Sequence, residues 1–338
     1  MRKPLLLAHL LTIATVWATL VTPALADRPD TKRFLGAKVP WHEPRDRDID
    51  IEDLDLAVSV DPSRGAVAGT AILSGTVLRP GAMIVLNAVA LDIRSGAWLH
   101  QGKRVPVSIA VANDVIRLRP PEPKVGAKFK LEIVYRATPK QGIYFTGPDK
   151  DAPKRPLHVH TQGEAIEARH WIPCPDDPDE RLTWTLRATF PTKMVVLSNG
   201  SPLGSTRNGK LKTTTFRLEH PHPIYLLTLV AGPFKESVHG HKRVRLSSWS
   251  FHKDRSRVAH SGRFLPKMLD FFERATRTKY PFGRYGQVYV HEFASGGMEN
   301  ITLTTLTNRA IGDGRSDLDR TVDGLLAHEL AHQWFGDL

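Results

Sequence analysis

One cysteine, Cys174, occurs in 338 residues, so no intramolecular disulfide can form and no cysteine-based zinc module can be built. Any metal site in this chain must be made of histidine and carboxylate. Apart from one stretch near the start, long hydrophobic runs are also missing, which excludes a multi-span membrane protein. Acidic residues are scarce relative to basic ones, 35 against 47, giving a net charge of +12. The excess is spread among Asp and Glu and forms no tract, so a nucleic-acid partner is not expected. What remains is ordinary globular composition, with length enough for two cores.

Met1-Arg2-Lys3, the apolar run from Leu5 to Leu20, and Ala24 and Ala26 before Asp27 make up the three parts of a secretory signal. Cleavage is expected after Ala26. The apolar run is too short for a stable membrane span, and no cysteine follows it to carry a lipid. The mature chain is therefore expected to be exported, either periplasmic or extracellular.

Three regions are expected: a signal peptide (1–26), a β-rich domain (27–240) and a catalytic domain (241–338). In the second, Leu54, Leu56, Val58 and Val60 alternate with polar or small residues before the turn Asp61-Pro62-Ser63-Arg64-Gly65. Further strand-like runs are Met83–Leu86, Lys130–Tyr135, Leu182–Phe190, Met194–Leu197 and Ile224–Val230. Sheet packed on sheet, a sandwich, is the natural architecture. After His252 the period changes: Val258, Phe264, Leu265, Met268, Leu269, Phe271 and Phe272 recur at helical spacing. Gln287–Phe293 reads as a strand, and a last helix is expected from near Asp317 to the chain end.

That helix carries His328-Glu329-Leu330-Ala331-His332, an H-E-x-x-H pattern. Residues four apart on a helix lie about 40° apart around its axis, so both imidazoles can reach one Zn²⁺. Glu329 projects nearby and can take a proton from an activated water as general base. Between Leu325 and Phe335 the only polar residues are His328, Glu329, His332 and Gln333, all in one sector. The helix is therefore expected to be buried, and its polar groups then need a partner, most simply a cation. Upstream, Gly296-Gly297-Met298-Glu299-Asn300 offers a backbone open to close approach and a fixed negative charge, although a glycine pair alone also suits a plain loop.

Taken together, Gly-Gly-Met-Glu-Asn and His-Glu-Leu-Ala-His-Gln-Trp-Phe-Gly some thirty residues later resemble the zinc aminopeptidase family of aminopeptidase N and leukotriene hydrolase, the gluzincins. The resemblance implies a β-rich sandwich-like domain followed by a thermolysin-like α/β metallopeptidase domain, and peptide substrates with a free N-terminus. It also implies roles: His328 and His332 as zinc ligands, Glu329 as base, Glu299 as the group that holds the substrate α-amino group, and Gly296, Gly297 and Met298 as the backbone that aligns the scissile peptide. Thr161-Gln162-Gly163-Glu164 is similar to the family segment that reaches the active site beside that glutamate, which implies a role for Glu164. Trp171-Ile172-Pro173-Cys174-Pro175-Asp176 and Ser198-Asn199-Gly200 match further landmarks, with Cys174 a packing residue.

The family's third zinc ligand, a glutamate about twenty residues past the second histidine, falls beyond residue 338, as does its catalytic tyrosine. The chain is therefore expected to be an N-terminal fragment, inactive by itself, in which one zinc ion lacks its third protein ligand. Two rival readings are a different hydrolase on the same scaffold, endopeptidase or epoxide hydrolase, and a non-catalytic binding module. Side-chain preference and oligomeric state are not encoded in these patterns.

Overall fold

A computed structural model describes residues 47–337. The signal-peptide segment lies outside the described residues. Asp46–Leu338 forms one compact unit.

The strand Ile49–Asp61 shows how the β-rich part arises. Ile49 and Ile51 are buried, a bulge between Ile51 and Asp53 shifts the phase, and Leu54, Leu56, Val58 and Val60 then face inward. Asp53, Asp55 and Ser59 take the other face. Alternation of this kind gives a sheet with one packed and one wet side. The expected turn follows, with Asp61 Oδ1 accepting from the Ser63 and Arg64 amides and Gly65 at φ +61°.

Eight strands form this sheet, in the order Ser201–Asn208, Leu211–Pro223, Arg181–Pro191, Ile49–Asp61, Ala66–Val77, Lys128–Ala137, Asp92–His100, Lys103–Val107. Neighbours are antiparallel except Ile49–Asp61 beside Arg181–Pro191. Two smaller sheets lie in the same continuous core: Ile84–Asn87 with Val115–Leu118 and Val111–Ala112, and Val195–Ser198, Leu229–Gly232, His158–Thr161, Ile143–Thr146. Leu54, Leu73, Leu86, Val159, Trp184 and Leu229 all belong to that core, which is the expected sandwich-like packing. Cys174 is fully buried in it and its thiol is pushed well up by burial, as a packing residue should be.

A mixed sheet of five strands follows, ordered Phe234–His239, Arg245–Phe251, Arg284–Val290, Leu303–Thr307, Gly297–Met298. The three middle strands are parallel and the outer two antiparallel to their neighbours. Helices α1 (Arg255–Ser261) and α2 (Leu265–Thr276) cross between the second and third strands, and bury Val258, Leu265 and Leu269. Helix α3 (Asp323–Ala331) packs on α2 and on Gly297–Met298. The whole is a β-rich N-terminal part followed by a short α/β segment.

Two expectations are corrected. Ile224–Val230 is not a strand. Ile224–Leu226 is a 3₁₀ turn and the strand is Leu229–Gly232, because the Asn199 side chain takes the Leu226 carbonyl and the Thr228 amide out of any ladder. The last helix begins at Asp323, not near Asp317, since Asp313 Oδ1 caps the amides of Arg315 and Ser316 into a separate turn. It ends at Ala331, and Gly336 at φ +111° turns the chain away. Nor is this helix buried all round: Glu329, Leu330 and Gln333 are, while His328 and Phe335 are exposed.

Candidate active site

His328 and His332 sit one turn apart at the C-terminal end of α3. Their Nε2 atoms are 3.2 Å apart and the rings meet edge to face. His332 Nδ1 lies 3.1 Å from the Phe335 carbonyl, so donating its proton there turns the Nε2 lone pair towards His328. Two nitrogens bound to one tetrahedral zinc at about 2.0–2.1 Å stand about 3.3 Å apart, so this pair fits two corners of such a site. Among the described residues no group of three His, Cys, Asp or Glu side chains could hold a metal.

Glu329 lies between the histidines in sequence and is 4% exposed. Burial, with the like charges of Glu299 and Glu164 behind it, pushes its carboxyl up to about 8. A buried carboxyl with two like charges behind it is an environment that a nearby divalent cation would relieve. The same field acts on its neighbours. Burial, then Glu299 and Glu329, raises Asp337 to about 9 against the pull of Arg181, and Tyr225 is raised to about 12 by burial, Glu299, Asp337 and Glu164.

Gly296–Asn300 runs along α3 in the same direction. A Cβ at Gly296 would meet the Leu325 side chain at 3.3 Å, and one at Gly297 would stand 2.3 Å from Glu329 Oε1, so glycine leaves the room in which that carboxyl rests. At the far end, Gln333 Nε2 donates to the Glu299 carbonyl at 2.9 Å. Moving along α3 and just past its end thus moves along Gly296–Glu299: Leu325 lies by Gly296, Glu329 by Gly297 and Gln333 by the Glu299 carbonyl.

The strand is held from three sides. Gly297 and Met298 pair with Leu306 and Thr305, and the Thr307 amide donates to the Gly296 carbonyl. Gln162 Nε2 reaches Met298 Sδ at 3.4 Å from the segment that carries Glu164. Asn199 Nδ2 donates to the carbonyls of Leu226 and Ile301, and Asn300 Nδ2 also reaches the Leu226 carbonyl. Glu164 itself is exposed, on a loop whose Gly163 rests on the Tyr225 backbone, and Glu299 is half-buried. Because Gly297–Met298 is the last strand of its sheet, an extended peptide has a free edge to lie along.

The structure therefore pairs His328 with His332, sets Glu329 against Gly297 and Gly296 against Leu325, and brings Glu299 and Glu164 close enough to act on the Glu329 charge. Sequence reasoning missed Gln333, whose Oε1 accepts from the Thr302 amide at 2.8 Å and whose Nε2 also donates to Asp337 Oδ2 at 2.6 Å. Its signal was present, as the fourth polar residue in the α3 sector. Asn199 was visible only as part of a landmark, and Asp337 and Tyr225 gave no sign.

Comparison with known proteins gives the family. The model of the peptidase M1 N-terminal domain matches residues 50–226, and that of the peptidase family M1 domain matches 263–338. The chain belongs to the peptidase M1 family. Relatives include aminopeptidase M1-B of Oryza sativa subsp. japonica, 28% identical over 84% of this chain and 33% of its own length. Aminopeptidase N of Canis lupus familiaris is 30% identical over 66% of the chain and 24% of its own length, and the alanine/arginine aminopeptidase of Saccharomyces cerevisiae is 29% identical over 63% and 26%. The chain thus spans between a quarter and a third of these relatives.

Proposed function

We propose that this M1 chain serves an exported zinc aminopeptidase that removes N-terminal residues from peptides, with His328 and His332 as zinc ligands. The observation that carries the reading is the shared direction of α3 and Gly296–Glu299, which sets the buried Glu329 carboxyl, on the helix that also carries the histidine pair, against a free strand edge. The names of the relatives support it.

A zinc ion held there would supply Lewis acidity toward the peptide carbonyl. Glu329 takes the proton of the attacking water and returns it to the leaving amine. Gly296–Met298 align the substrate backbone along the edge, and Glu299 and Glu164 pair with its ammonium group. Pairing at that end restricts cleavage to the first residue, because a blocked or internal nitrogen leaves two carboxylates without a partner.

Two imidazoles make up only part of a catalytic zinc site, so the 338 residues alone are expected to bind zinc weakly and to hydrolyse nothing. The activity test therefore uses the protein as expressed from its natural coding sequence. Peptides with a free N-terminus should be cleaved about a hundredfold or more faster than the N-acetylated forms. Equal turnover of both would remove the role assigned to Glu299 and Glu164. Export is tested separately by sequencing the mature N-terminus, expected at Asp27.

A further inference from the structure

Beyond Gly296 the free strand edge opens into a cleft of about 440 Å³, bordered by Ser295, Gly296, Leu325, Thr321, Arg309 and Arg320. No Asp or Glu lines it. Both guanidinium groups are anchored on neutral oxygens: Arg309 on Thr307 Oγ1 and the Phe293 carbonyl at 3.4 Å, Arg320 on the Arg309 carbonyl at 3.1 Å. Each keeps donors free for an anion. In contrast, Arg263 close by is already paired with Asp317 at 2.8 Å.

The direction of α3 fixes which part of a substrate reaches this cleft. An ammonium group at Glu299 lies beside Gln333, the reacting carbonyl lies by Glu329 and Gly297, and the rest of the peptide must continue past Gly296 and Leu325. From Glu329 back to Val322, which also borders the cleft, seven helical residues cover about 10 Å. An extended peptide covers that distance in about three residues.

We propose that Arg309 and Arg320 form a carboxylate-binding subsite for the third residue after the scissile bond, so that short peptides ending there are favoured substrates. This rests on the aminopeptidase reading above. A carboxylate can come from the C-terminus of a tetrapeptide or from an acidic side chain at the fourth position of a longer one, and the guanidinium groups suit both.

The test compares kcat/KM on the naturally encoded protein for di-, tri-, tetra- and penta-alanine, each as free acid and C-terminal amide, and for an amidated pentapeptide with Glu at the fourth position. The tetrapeptide acid should exceed its amide by about five- to tenfold, with a smaller ratio at the other lengths, and the ratio should shrink as salt is raised. The Glu-containing amide should show the same gain over its alanine counterpart if side chains are also accepted; no gain assigns the subsite to the chain terminus. In the double variant Arg309→Gln/Arg320→Gln the tetrapeptide ratio should fall to about one. Equal turnover of acid and amide at every length by the unmodified protein overturns the subsite, as does a preference that survives in the double variant. Failure of the aminopeptidase reading looks different: an aminoacyl anilide and every free peptide are then left uncleaved.

Discussion

The side-chain amide of Gln333 donates to the backbone carbonyl of Glu299, tying the end of the helix that carries the histidine pair to the residue proposed to hold the substrate amine. Its other contacts, to the Thr302 amide and Asp337, make it the one side chain among the described residues that bonds to both sides of this junction and to the chain beyond.

Replacing it by alanine leaves a buried amide, a buried carbonyl and a buried carboxyl without partners. We expect Gln333→Ala to lower stability by about 2–4 kcal/mol, since each such orphan costs about 1–3 kcal/mol before water relieves part of it. Urea unfolding of the purified protein measures this directly. A loss below half a kcal/mol would mean that the junction is held elsewhere.

The histidine pair should be jointly necessary for metal. His328→Ala or His332→Ala each removes one of two facing nitrogens 3.2 Å apart, and zinc measured by elemental analysis on the naturally encoded protein should fall from about one equivalent to a small fraction. Retention of full zinc by either variant would place the ion at other ligands.

Glu329→Gln keeps the shape of the side chain and removes the base. A fall in kcat of about two to four orders of magnitude, with KM changed far less, is expected from the loss of general-base help. A proportionate rise in KM with kcat preserved would instead make Glu329 a binding group.

Acid should destabilise the fold through three buried histidines on strands of the β-rich part. Burial is the first cause in each case: His158 is lowered to about 4, and His160 and His222 to about 3, from an ordinary 6.5. Between those values the unfolded chain binds protons that the folded chain refuses, so the stability these histidines contribute is complete above about pH 6.5 and is lost as pH falls towards 3. Each histidine contributes up to about 1.4 kcal/mol per pH unit in that window. Chemical denaturation at pH 7, 6 and 5 in the variant Glu329→Gln/Asp337→Asn, which removes two raised carboxyls that act in the opposite sense, checks the slope, and a flat profile there would mean that water reaches these rings.

Much of this was legible beforehand because its physics is local. Alternation in Leu54–Val60 marks a strand wherever the strand packs, and the His328–His332 spacing marks one helical face. The end of α3 was not legible, because it depends on Gly336 adopting a left-handed φ rather than on the apolar residues before it. Ile224–Val230 reads as a strand until Asn199, some thirty residues earlier, competes for its backbone. Gln333 belongs to the same class: its polarity is visible, but its partners come from Glu299 and Thr302, which only the tertiary fold brings near.

An unpaired strand edge ordinarily invites a second chain to stick. Here the unpaired rung, Gly297–Met298, is only two residues long. An edge of that length is long enough to hold the first residues of the proposed peptide substrate in register and too short to seed a sheet between copies, so the opening proposed to admit substrate would not double as a site of aggregation.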